Sequence, residues 1–155
     1  MLSFSGIPMR LITLPLLLAT TTALAAPTNG VRGDWTTTTS SIVRVGPCSS
    51  DSTDHTVCLT IIKLSPTAPE TTDKQNPDAS LRNRSLCGLV IGTGFHPTDP
   101  DHLTDGHLYD PKTGHTYRGT ITAAGDTLQL HGYIGISLFG RTETWHRAPA
   151  TTPCH

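Results

Sequence analysis

Between residues 33 and 148 the chain alternates short β-forming runs with turn residues. Of all the features of the sequence, this alternation restricts the possible folds most. Runs of roughly seven to ten residues suit strands and are too short for a helical bundle. Thr, Gly and Pro are abundant while strong helix formers are few, which also favours an all-β chain. We predict about eight strands, over residues 33–39, 41–48, 56–65, 87–95, 102–110, 115–124, 126–135 and 140–148.

Turn residues between the runs predict sequential hairpins. Asp110 opens a turn in which Pro111 presets φ and Gly114 can take the left-handed conformation. In the seventh run Leu128 and Leu130 share one face, the pattern of a half-buried strand. About eight such strands close naturally into a barrel, because closure leaves no exposed sheet edge. We therefore predict a single eight-stranded antiparallel up-and-down barrel.

The connection over residues 66–86 breaks the strand pattern. Its first part is polar and contains prolines, as loops do. Asn76 is suited to cap a helix, with Pro77 at the first helical position and Asp78 favourable near the positive end. We predict one or two helical turns over residues 77–84.

The first 25 residues are expected to be a secretory signal peptide. Arg10 precedes an apolar run that is too short to span a bilayer, and Ala23 and Ala25 fit the small-x-small cleavage rule. We expect cleavage after Ala25, no membrane span, and one domain over residues 26–155. Its predicted destination is the periplasm or the medium.

Four cysteines in an exported chain indicate disulfides. Cys48 and Cys58 flank a polar loop between two β-like runs, so this pair is our first choice, with a stabilisation of about 2.5–3 kcal/mol. Cys87 with Cys154 follows only by elimination. A metal site is the rival interpretation, but the chain has no Cys-x-x-Cys spacing to support it.

Charge and motifs exclude several function classes. The formal net charge is −1, with no basic face, so nucleic acid is a poor candidate partner. Four histidines lie near several aspartates in one segment, without the spacing of a known metal motif: His96, His102, His107 and His115. The chain lacks G-x-S-x-G. We expect no metal and no cofactor, assign no catalytic residue, and consider an enzyme the weakest hypothesis.

Several motifs occur together, in order, along nearly the whole segment after the signal: Gly33-x-Trp35, NPDASLRNRSLCGL, GHLYDPKTGHTYRG, LQLHGYIG and GRTETWHR. This combination closely resembles the bacterial family known as domain of unknown function 2147. The resemblance implies a small exported protein with a lipocalin-like barrel. It does not imply a biochemical role.

One local device also resembles lipocalins. Their first strand carries Gly-x-Trp, and an arginine late in the last strand covers the indole ring. Gly33, Trp35 and Arg147 match those positions. The resemblance implies that this contact closes the barrel, with about 0.5–2 kcal/mol from the cation–π interaction.

The Asn76–Leu86 stretch carries a pair of arginines that have two interpretations. Arg82 and Arg84 offer planar forks of donors that suit an anion or carboxylate. Alternatively, they pair with acidic neighbours and fasten the helical turn to the barrel rim. The second interpretation is favoured, because a loop that crosses a barrel needs such fastening.

Glu143 is the carboxylate of most interest. It shares strand parity with Trp145, so both point inward if either does. An inward carboxylate needs a partner, for which Arg82, Arg118 or Arg141 are candidates. It would then orient a ligand or form half of a structural ion pair.

A binding cavity is the leading functional hypothesis. An eight-stranded barrel either holds one small ligand or fills with side chains, and the glycine-marked seventh run is compatible with both. The candidate ligand-binding residues are Tyr109, Tyr117, Leu128, Leu130, Tyr133, Ile134, Glu143, Arg82 and Arg84, with Leu59 and Ile61 as further lining. We predict binding of a small, mostly apolar molecule. The alternative is an envelope interaction protein with a filled core, acting on an unknown partner through its surface loops.

Overall fold

A computed structural model describes residues 30–154; the predicted signal peptide lies outside them. Eight antiparallel strands form a closed barrel in sequence order. They are β1 (Gly33–Thr36), β2 (Ile42–Pro47), β3 (Val57–Lys63), β4 (Val90–Asp99), β5 (His102–Asp110), β6 (His115–Ala124), β7 (Thr127–Tyr133) and β8 (Gly140–Arg147). The predicted fold is confirmed.

Pairing of the first strand with the last closes the barrel. Trp35 lies opposite Arg147 in the β1–β8 register, and the guanidinium carbon is 3.7 Å from the indole ring centroid. Arg147 also donates to the carbonyls of Arg32 and Gly30, at 2.7 and 2.8 Å. Trp35 donates its Nε1–H to the carbonyl of Val31 at 2.9 Å. Together these contacts of Trp35 and Arg147 close the end of the barrel at which β1 begins and β8 ends.

The fourth strand starts and ends later than predicted. Leu89 and Gly88 do bond to Ile61 on β3, at 2.9 and 2.8 Å, but regular pairing begins at Val90. The strand then continues through Pro97, which lies opposite Leu103. Only the turn after Asp99 lies outside the strands here.

The helical turn of the β3–β4 connection is shorter than predicted and is capped differently. It is a 3-10 turn over Ala79–Leu81, and its N-cap is Asp78, whose side chain accepts a hydrogen bond from the backbone N–H of Ser80. Asn76 does not cap this turn itself. Its side-chain oxygen accepts a hydrogen bond from the backbone N–H of Asp78 at 2.9 Å, in the residues just before the turn. Two consecutive Asx turns thus replace the expected first turn of a helix.

Both predicted disulfides are confirmed. Cys48–Cys58 joins β2 to β3 across their hairpin, and Cys87–Cys154 joins the start of β4 to the C-terminal segment. That segment is also held by Asp34, which accepts from Arg44 at 2.7 Å and from the backbone N–H of Thr151 at 2.8 Å. The chain end is therefore fastened over the outside of β1–β3.

Candidate functional site

The interior of the barrel divides into two halves, and one of them is packed solid. Side chains there are at most 2% exposed: Trp35, Val45, Val57, Leu59, Phe95, Leu103, Ile121 and Leu128. Inward-facing glycines make room for the large ones. A Cβ at Gly106 would lie 2.3 Å from the Phe95 ring, and a Cβ at Gly92 would lie 2.7 Å from Leu59. Neighbouring side chains therefore fill the space beside these glycines, and no cavity remains there.

The other half is open. A cavity of about 1340 Å³ lies between the strands and continues to solvent through a mouth. Four connections surround this mouth: the β1–β2 turn, the β3–β4 connection, the β5–β6 hairpin and the β7–β8 hairpin. Gly132 is the inward glycine that does open space, because a Cβ there would meet nothing closer than 3.6 Å. The barrel is therefore filled at one end and hollow at the other.

The walls of the cavity differ in chemistry. Strands β2 to β5 contribute apolar side chains, namely Val43, Ile61, Ile91 and Leu108. Strand β8 contributes Arg141 and Glu143, which lie opposite Gly132 and Leu130 of β7, and Trp145, which lies opposite Leu128 near the packed half. The β8 wall thus carries charge next to an aromatic floor.

Glu143 has a partner that the sequence had not suggested. Its Oε2 accepts a hydrogen bond from the Trp145 indole N–H at 3.1 Å. Within residues 30–154, Glu143 forms no ion pair with Arg82, Arg118 or Arg141. Arg82 bonds within the β3–β4 connection, and Arg118 precedes the inward-facing Gly119 on β6 and so faces outward. Arg141 lies on the same wall of the cavity without pairing with Glu143.

The two arginines of the opening motif fasten the β3–β4 connection, and the structure places neither in the barrel cavity. Arg82 donates to the carbonyl of Asn76 at 2.8 Å. Arg84 donates to Asp73 through Nε at 2.8 Å and Nη2 at 2.7 Å. Arg84 lines a separate outer cleft of about 270 Å³ between the connection and β4–β6. Arg84 is thus bound to a carboxylate within the protein, and Arg82 is held by one bond from its Nε.

Asp73 is the centre of that fastening. It is fully buried and accepts from Tyr109 Oη at 2.6 Å and Asn76 Nδ2 at 2.8 Å as well as from Arg84. Burial acts to raise the pKa of Asp73, but the hydrogen bonds from Tyr109, Asn76 and Arg84 together outweigh it, so the pKa lies below its ordinary value. Burial and the bond to Asp73 raise the pKa of Tyr109. The connection is thereby latched to β5 at the cavity mouth.

Six of the predicted ligand-binding residues line the cavity: Tyr109, Tyr117, Leu130, Tyr133, Ile134 and Glu143. Leu128 does not, because its side chain is 0% exposed in the packed half. Leu59 is packed there too, while Ile61 reaches the cavity. The sequence reasoning missed Leu108, whose inward direction depends on a bulge in β5. It named Arg141 only as a possible partner of Glu143, although the shared parity of the two residues was a signal that Arg141 also lines the cavity.

The β7–β8 hairpin extends the apolar surface beyond the mouth. Four large apolar side chains on it are 60–81% exposed: Ile134, Ile136, Leu138 and Phe139. Ile134 and Phe139 also line the cavity. An apolar path therefore runs from the tip of this hairpin into the barrel.

The histidines and carboxylates of residues 30–154 are not gathered into a metal site. No group of three or more His, Cys, Asp or Glu side chains within residues 30–154 is arranged to hold a metal ion. His102 instead contacts Asp99 through Nδ1 at 2.8 Å. Among these described residues, no helix is long and apolar enough to cross a membrane.

A closed eight-stranded antiparallel barrel with one sealed end and one open end defines the class of lipocalin-like β-barrel proteins. A solved structure of the Helicobacter pylori protein HP1028, which is described as belonging to the lipocalin family, has the same fold. It matches with a TM-score of 0.65 and 23% identity, covering 77% of this chain and 83% of that chain. At this identity the likeness shows the fold alone.

The family is settled by the sequence match. Residues 33–147 match the model of domain of unknown function 2147, described as an uncharacterized protein conserved in bacteria. The chain belongs to this family, which confirms the resemblance seen in its motifs. A comparison with curated proteins finds no match.

Proposed function

We propose that the protein is an exported binding protein that holds one small, mostly apolar molecule in the open half of its barrel. The observation that carries the proposal is the open cavity of about 1340 Å³, its polar mouth included, since this is room enough for a small molecule, whose pockets typically have about 300–1,000 Å³.

Three further observations support the proposal. The apolar wall formed by β2 to β5 continues into the exposed β7–β8 hairpin, which gives an apolar molecule a route from solvent. The walls are strands of a closed barrel, so the cavity is preformed. The two disulfides are typical of an oxidising compartment, which favours export.

Filling the cavity tests the proposal. Gly132→Phe places a ring in the open half, and its Cβ is accommodated without a close contact. We expect the wild type to bind the neutral apolar probe N-phenyl-1-naphthylamine at one site and the variant to bind it at least about tenfold more weakly. Fluorescence titration measures both affinities, and thermal unfolding checks that the variant is folded.

A matched control adds the same bulk outside the barrel. Gln129 is exposed on β7, with the opposite parity to Gly132, so Gln129→Phe should leave probe binding intact. Equal binding by the wild type and Gly132→Phe, or no binding by the wild type, would overturn the proposal. That result would instead favour an interaction protein that acts through its surface loops.

A further inference from the structure

Glu143 is an exposed residue of β8 on the cavity wall, and its carboxylate forms no ion pair with a basic side chain of residues 30–154. Its Oε2 is held by the Trp145 indole N–H at 3.1 Å. Its Oε1 accepts no hydrogen bond from the described residues, and Glu143 takes part in no ion pair among them. The bond to Trp145 fixes the direction of the carboxylate and leaves one oxygen available to a ligand.

Aromatic surfaces lie beside this carboxylate. Trp145 is 5% exposed and closes the floor of the cavity, and Tyr117 lines the cavity from β6, with its Cβ 3.6 Å from the position of a Cβ on Gly132. The Glu143 carboxylate attracts a protonated amine, because a charge-assisted hydrogen bond forms between them. The same carboxylate repels an anionic group placed at this depth.

The other charge on this wall lies nearer the mouth. Arg141 is opposite Gly132, one inward position further from the floor than Glu143, which is opposite Leu130. Facing both charges is the apolar wall of β2 to β5. The lower part of the cavity therefore combines one negative group, an aromatic floor and an apolar side.

We propose, building on the binding function above, that the ligand is a lipophilic amine. Its protonated nitrogen donates a hydrogen bond to Glu143 beside the Trp145 ring, and its apolar body lies along Val43, Ile61 and Leu108. A molecule of this kind satisfies the free carboxylate oxygen and the apolar wall together, whereas a fatty acid satisfies only the wall and Arg141.

Three amphiphiles with the same twelve-carbon chain test the assignment: dodecylamine, dodecanol and dodecanoic acid. Each is titrated below its micelle concentration to displace N-phenyl-1-naphthylamine at pH 7. We expect the wild type to bind the amine at least about tenfold more tightly than the alcohol, and the acid most weakly. In Glu143→Gln, which keeps the shape and an acceptor for Trp145, the ratio of amine to alcohol affinity should fall to about one.

The control removes the same charge elsewhere. Asp126 lies in the β6–β7 turn at the sealed end and is exposed, so Asp126→Asn should retain the wild-type preference. Tighter binding of the acid than of the amine, or an unchanged preference in Glu143→Gln, would overturn the amine assignment while leaving the binding function in place. If none of the three amphiphiles displaces the bound probe, the amine assignment fails and the binding function stays in place; if the wild type does not bind the probe, the binding function itself fails.

Discussion

At the scale of single residues, inward glycines decide where the barrel is full and where it is hollow. Gly106 and Gly119 lie opposite each other on β5 and β6, and the Phe95 ring and Leu108 side chain occupy the space that their side chains would fill. Gly132, opposite Gly119 on β7, has no such occupant. The same residue type therefore serves packing at one position and a cavity at another.

This contrast predicts opposite outcomes for two Gly→Ala substitutions. Gly106→Ala puts a Cβ 2.3 Å from the Phe95 ring, so it should lower the free energy of unfolding by about 1–3 kcal/mol through overpacking. In Gly132→Ala the nearest atom is 3.6 Å away. That change should be neutral or should stabilise by up to about 1 kcal/mol, because alanine restricts the unfolded chain.

Urea unfolding of both variants measures the difference. A Gly106→Ala protein as stable as the wild type would show that the Phe95 ring moves freely. It would also contradict the explanation that glycine is needed at this position to make room for the Phe95 ring.

The sequence predicts which way a side chain points when the alternation within a single strand decides it. It does not predict what that side chain meets inside the barrel, because this depends on how several strands are aligned. The parity of β7 correctly placed Leu128 and Leu130 inside. Sequence parity could not show which of them borders the cavity, because that depends on Phe95 and other residues from distant strands. Leu108 was not predicted to face the cavity because of a bulge in β5. Asp105 takes a left-handed φ of 59° at a register shift in this strand. The bulge shifts the alternation, so that the inward positions after it move by one residue.

At the scale of elements, the β3–β4 connection is rigidly attached at the mouth by the Asp73 cluster. The sequence motif contained Asn76 and Arg84. The other two members of the cluster, Asp73 and Tyr109, lie outside the motif and are 36 residues apart in the chain. The favoured interpretation of the two arginines as fastenings agrees with their contacts. Their acceptors could not be named, since one belongs to the loop before the motif and the other is a backbone carbonyl.

Asp73→Asn should detach this latch. The amide has only one acceptor oxygen, so it cannot accept from Tyr109 on one side and from Asn76 and Arg84 on the other as the carboxylate does, and we expect a loss of about 1–3 kcal/mol in the free energy of unfolding at pH 7. Because folding lowers the pKa of Asp73, its contribution is fully present above the ordinary value of 3.8 and is lost as the pH falls through the folded pKa. The stability difference between the wild type and the variant should therefore shrink below about pH 4.

Urea unfolding at several pH values tests this, with Glu70→Gln as the control. Glu70 lies in the same connection and pairs with Lys74, with both side chains about half exposed. Its loss should cost at most about 0.5–1 kcal/mol. A difference between the wild type and Asp73→Asn that stays constant down to pH 2 would contradict the proposed ionisation of Asp73.

At the scale of the whole molecule, the two disulfides constrain the chain to different extents. Cys48–Cys58 closes a short loop with a sequence separation of 10, whereas Cys87–Cys154 spans 67 residues and ties the C-terminal segment to the residues just before β4. That segment is also bound through Cys154 N–H to the Ile62 carbonyl at 2.7 Å. The folded state thus holds the chain end in place at several points.

Because a disulfide mainly restricts the unfolded chain, the longer loop should contribute more. The chain-entropy model gives about 2.7 kcal/mol for the short loop and about 4.4 kcal/mol for the long one. The double substitution of Cys87 and Cys154 by Ser should therefore destabilise more than that of Cys48 and Cys58, by about 1–2 kcal/mol. Urea unfolding of the oxidised proteins at equal pH measures this order. The reverse order would mean that the β2–β3 clamp, rather than the attachment of the chain end, governs the stability of the closed barrel.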